Sequence, residues 1–147
     1  MIISETKDIG KITRFLRDPE IYERISDDGS VSAEEFNPDR PQKGIIYLED
    51  DDNTGIIFLH WKNSITLECH IHVLKDQRHK AFEFGKVAIR WTWENTDAQK
   101  ITAVIPEIYP DVIKYSIKQG LSVEGFSGKA YQKNGVLCGV YYLGISR

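Results

Sequence analysis

Glu68, His70 and His72 stand two residues apart in the segment Leu67-Glu68-Cys69-His70-Ile71-His72-Val73. Successive side chains of a strand point to opposite faces, so these three share one face if the segment is extended. A carboxylate and two imidazoles on one face are suited to proton transfer near neutral pH. Glu68 and His70 are therefore the candidate bases, with His72 beside them. The plainer reading of the histidines is surface groups or satisfied core groups.

The same stretch raises the question of a metal. His-x-His on a strand is a workable zinc geometry, and His60, His70 and His72 are the available imidazoles. No acidic or cysteine partner falls at a specific spacing to complete the set, so no metal is expected. Asp50-Asp51-Asp52 reads as a hairpin turn rather than a calcium site. Trp91 and Trp93 lie two apart on a helix, so one is expected in the core and the other exposed or against a partner. No Gly-x-Ser-x-Gly, P-loop, zinc ribbon or dinucleotide fingerprint is present.

Such a strand needs neighbours to position it. Apolar spacing over Ile9, Ile12, Phe15 and Leu16 predicts a first helix, which Asp18-Pro19 ends. Pro19 to Ile25 predicts a second, with proline in its first turn. Residues 27 to 43 are rich in Asp, Ser, Glu and Pro and read as a mobile or functional loop. A period of two follows in Ile45 to Glu49, Ile56 to Trp61 and Ile65 to Leu74, an antiparallel meander. Asp76 to Asn95 returns to helical spacing, with Ala81, Phe84, Ala88 and Trp91 on one face, widened by Phe82 and Val87. Gly85 inside this helix implies a close neighbour. Lys100 to Ile105 is a strand. Pro110 then opens a helix with Val112, Ile113, Ser116 and Ile117 inward, and Gly120 caps it. Ser122 to Gln132 and Val136 to Ser146 form a hairpin around Asn134-Gly135. The order implies one α/β domain over residues 1–147: a mixed sheet with one parallel crossover and antiparallel flanks.

Composition bounds the function. The chain has 147 residues, 41% hydrophobic and 28% charged, which suits one domain with a real core. A net charge of −3 lacks the basic excess of a non-specific nucleic-acid binder, so no nucleic acid is expected. No apolar run reaches the roughly 20 residues of a membrane span, and the acidic, polar N-terminus does not read as a signal peptide. Cys69 and Cys138 are too few for a disulfide framework and read as small buried hydrophobes, so a cytoplasmic location is expected.

The segment Val73-Leu74-Lys75-Asp76-Gln77-Arg78, entering the long helix, resembles a signature of the GCN5-related N-acetyltransferases (GNAT). There a strand ends in Val-x-Pro-x-x-Arg. Ile105-Pro106, the helix ending Gln119-Gly120-Leu121, and Val123-Glu124-Gly125 resemble that family's closing part. The likeness covers roughly residues 44 to 147. It is nearest the branch acting on ribosomal-protein N-termini and its small phage-encoded relatives.

The resemblance implies a splayed parallel strand pair within a mostly antiparallel sheet, with acetyl-CoA lying in the gap. The pyrophosphate would sit on free amides at the start of the long helix. Val73, Leu74, Arg78, His79, Lys80 and Ala81 would then hold the cofactor. In the family's Gln/Arg-x-x-Gly-x-Gly/Ala motif, Ala81 and Glu83 replace small or glycine residues, and Glu83 would repel phosphate. Glu68 or His70 would serve as base. Tyr115, on the fourth helix, would be the acid, and Tyr109 stands where an asparagine is usual. The implied activity is acetyl transfer to an amine, either a small molecule or a protein N-terminus. The other implied reading is a non-catalytic phage protein of head assembly, contacting virion or host proteins around Phe36 and the 27–43 loop.

Overall fold

A computed structural model describes all residues, Met1–Arg147. Its elements are β1 (Ile3–Thr6), α1 (Ile9–Leu16), α2 (Pro19–Ile25), β2 (Ile45–Asp50), β3 (Gly55–Trp61), β4 (Thr66–Val73), α3 (Ala81–Asn95), β5 (Lys100–Pro106), α4 (Pro110–Lys118), β6 (Ser122–Lys133) and β7 (Val136–Ser146). A 3₁₀ segment, Lys75–Lys80, joins β4 to α3. One seven-stranded sheet has the order β1-β2-β3-β4-β5-β7-β6. Every neighbouring pair is antiparallel except β4 and β5. This is the mixed sheet with one parallel crossover that the sequence implied.

Local chemistry explains the boundaries. The Asp8 carboxylate accepts from the Lys11 amide and starts α1. Asp18 does the same for Glu20 and Ile21 ahead of Pro19. Gly120 takes φ +103° and ends α4. The Asn134-Gly135 turn has both residues at positive φ, as the sharp hairpin requires.

Alternation along the strands divides the core. Leu48, Ile57, Leu59 and Leu67 face Phe84 and Ala88 of α3. Tyr47 and Ile56 face the other way, onto Ile12, Leu16 and Ile21 of α1 and α2. A third cluster of Ile105, Leu121 and Leu143 receives Val112 and Ile113 of α4.

The structure departs from the sequence reading at several points. The four-residue β1 was not expected; it pairs with β2 at the sheet edge. The long helix starts at Ala81, because Lys75–Lys80 is 3₁₀. Phe82 and Ile117 are half exposed, while Gly85 and Thr92 take up the buried face of α3. Trp91 and Trp93 both pack partly on the first cluster, and Arg147 lies over the Trp93 ring. The 27–43 segment has no regular element but is tied down. Phe36 packs on Tyr22, Arg17 donates to the Phe36 carbonyl, and Tyr47 donates to the Asp39 carbonyl. Asp28 caps the Asn134 and Gly135 amides of the far hairpin. Cys69 and Cys138 are free thiols. No helix is long and apolar enough to cross a membrane.

Candidate active site

β4 and β5 pair at only three positions, Thr66 with Lys100, Leu67 with Ile101, and Glu68 with Thr102. Beyond them β4 runs on to Val73 against β3, and β5 runs on to Pro106 against β7. Each strand keeps its outer partner and loses its inner one. Their facing edges therefore offer backbone donors and acceptors to a guest instead of to each other. A cleft of about 1220 Å³ opens there. Arg78 and Ala81 line it at the start of α3, and Glu68, His70 and His72 line it on the α1–α2 side.

Glu68, His70 and His72 do share one face, with Phe58 and His60 of β3 beside them. Glu68 is largely buried and binds three cations or potential cations. Its Oε1 lies 3.1 Å from His70 Nε2 and 3.3 Å from His60 Nε2. Its Oε2 lies 3.3 Å from Lys62 Nζ. The hydrogen bond from His70 is the main force holding the Glu68 carboxyl down at about 2, against an opposing push from burial. Glu68 is thus a fixed anion, a weak base by itself. With Nε2–H given to Glu68, His70 presents Nδ1 as the free acceptor. The ring stacks on that of His60, with centroids 5.7 Å apart, and meets Phe58 at a tilt of 32°. Burial drives His72 down to about 3, so it is neutral.

Tyr115 reaches the cleft from α4. Its hydroxyl donates to the Ala81 carbonyl at 2.8 Å. Burial raises its pKa, which keeps the phenol protonated. Tyr109 hangs at the mouth, its ring under Arg24.

The residues expected to hold a cofactor divide. Val73, Arg78 and Ala81 line the cleft; Leu74, His79 and Lys80 do not. Leu74 donates its amide to Thr54 and packs with the α1–α2 cluster. His79 Nδ1 faces the Asp76 carbonyl, and Lys80 pairs with Asp52. The 3₁₀ turn uses some amides expected to be free: Ala81 N–H bonds the Arg78 carbonyl, and Gln77 N–H bonds that of Leu74. Of the turn's long cations, Lys75 and Lys80 each have a carboxylate and Arg78 has none. Glu83 is exposed and outside the cleft lining.

One contact and three lining residues escaped the sequence reading. His60 meets Glu68 because the Lys62–Ser64 turn sets their strands in register, and turn length was the signal that could have shown it. Tyr142, Tyr131 and Val104 line the cleft from β7, β6 and β5, a juxtaposition that only the sheet order creates.

No protein-family model and no curated protein matches the chain. Solved structures do. A spermidine N-acetyltransferase from Vibrio cholerae, in complex with CoA and spermine, superposes with a TM-score of 0.77 at 16% identity, covering 99% of this chain and 94% of that one. A GNAT-family acetyltransferase from Streptococcus pneumoniae gives 0.78 at 16% identity, covering 99% of both chains. A Streptococcus mutans protein gives 0.74 at 15%. These identities speak to architecture, and the splayed β4–β5 pair agrees with it: the chain has the GNAT acetyltransferase fold.

Proposed function

We propose that the protein is an acetyl-CoA-dependent N-acetyltransferase acting on a primary amine. The observation that carries this reading is the β4–β5 splay, with an unpaired arginine at one end and a Glu68–His70 couple at the other. The V. cholerae enzyme of the same fold, holding CoA and spermine, supports a small-molecule amine as substrate. A protein N-terminus is the second acceptor to try.

The residues present fit the cofactor. The unladdered edges of β4 and β5, beyond Glu68 and Thr102, suit an amide-bearing arm. Arg78 would take the phosphates, with Val73 and Ala81 beside them. When bound, acetyl-CoA supplies an activated acyl carbon and a thiolate leaving group. His70 Nδ1 would accept the proton that the amine gives up when it is acylated. Glu68 holds His70 through Nε2 and stabilises its charged form. Tyr115 Oη, which here donates to the Ala81 carbonyl, would be the proton donor for the thiolate.

The assembly reading rests on Ala81 and Glu83 at the phosphate loop and on a mobile loop, and of these Ala81 does line the cleft. Glu83 lies outside the cleft, and the loop is anchored to α1 and the β6–β7 hairpin, which favours the transferase reading. A thiol-release assay with acetyl-CoA against spermidine, a simple monoamine and a short peptide tests it. Release above the amine-free background with at least one acceptor is expected. Background release with all three contradicts the proposal.

A further inference from the structure

Glu68 does more than steady one histidine, because its Oε1 is shared by two imidazoles from adjacent strands. We propose that His60, Glu68 and His70 form a binding site for a divalent ion of the zinc class. Their ligand atoms all lie within 4.8 Å of one another. Tetrahedral zinc, with bonds of about 2.0–2.1 Å, separates neighbouring ligand atoms by roughly 3.3 Å. Two edges of such a site already exist, at 3.3 Å for His60–Glu68 and 3.1 Å for His70–Glu68. Rotation of the two imidazoles would close the third edge and aim their lone pairs at a common point.

The backbone holds the set in place. His60 and Glu68 are directly paired across β3 and β4, and His70 follows Glu68 by two on the same face. Two imidazoles and one carboxylate select zinc, cobalt or their neighbours over calcium and magnesium, and they leave a fourth position open. All three side chains retain some solvent contact, so an ion can enter. Lys62 opposes a cation, but it sits on the other carboxylate oxygen and is half exposed, free to swing out. His72, though on the same face, belongs to no such cluster.

Binding does not depend on the transferase reading. If that reading holds, one consequence rests on it: an ion on His70 Nε2 puts the ring proton on Nδ1 and removes the acceptor.

The test uses chelator-stripped full-length protein without cofactor. Co2+ is followed by visible absorption and Zn2+ by calorimetry. One ion per chain and tetrahedral-type cobalt bands are expected. His60→Gln should weaken uptake by about 100-fold or more, since even outer-shell partners are worth 10–100-fold. His72→Ala should leave uptake unchanged. Far-UV circular dichroism verifies that each variant is folded, and His60→Asn replaces any His60→Gln that is not. Absence of stoichiometric uptake by wild type overturns the site, as does uptake that survives loss of His60 or falls equally with His72→Ala.

Discussion

The Tyr115 hydroxyl occupies the space that a β-carbon on Gly85 would take. From there it donates to the Ala81 carbonyl, while Gln119, the C-cap of the same helix, donates to that of Phe82. α4 thereby clasps the first turn of α3, beside the cleft. Gly85→Ala gains about 1 kcal/mol of helix propensity and should still destabilise the fold by about 1–3 kcal/mol through overpacking. In a Tyr115→Phe background the same change should cost measurably less. Denaturant unfolding of the four proteins in this cycle checks both statements.

Gly85 shows what the sequence could and could not reveal. Its place in a helical pattern signalled a close neighbour, but not that the neighbour would be Tyr115, thirty residues on. Strand alternation put Glu68, His70 and His72 on one face. It said nothing of His60 or Lys62, which arrive through cross-strand register. Helical periodicity ran straight through Lys75–Lys80, because a 3₁₀ turn and an α-turn share their i, i+3 spacing. That is why more free amides were expected at the start of α3 than the structure provides. β1 was missed because four residues at a sheet edge carry too little pattern to read.

Glu68 and His70 should fail differently in catalysis. His70→Gln removes the proton acceptor, and kcat should fall by about 100- to 10,000-fold. Glu68→Gln keeps the ring but loses the charge that orients it, so a smaller loss in kcat is expected with little change in KM. Steady-state kinetics under amine saturation separates the two. Equal losses would contradict an orienting role for Glu68.

Tyr47 makes stability fall at alkaline pH. Burial pushes its phenol up to about 12 from an ordinary value near 10. The folded state thus keeps a proton that the unfolded chain gives up first. The contribution is fully present below about pH 10 and is lost as pH rises to 12. Wild type should lose up to about 3 kcal/mol more over this window than Tyr47→Phe. Urea titrations at several pH values measure the difference.

Glu83 is an informative neighbour of the β4–β5 cleft. Its exposed position outside the lining predicts that Glu83→Gly leaves acetyl-CoA affinity within about twofold of wild type, while costing about 1 kcal/mol of stability through the helical glycine. Isothermal calorimetry and thermal melting read the two effects. A large gain in affinity would mean that the carboxylate does reach the phosphates.

Calorimetric titration of acetyl-CoA into wild type and Arg78→Ala reads the slot between β4 and β5 most directly. Saturable binding of one molecule per chain is expected, weakened about 10- to 100-fold when the guanidinium is removed, as for a lost charged hydrogen bond. Wild-type protein that takes up no acetyl-CoA at millimolar concentration, or that binds it equally well without Arg78, would contradict it.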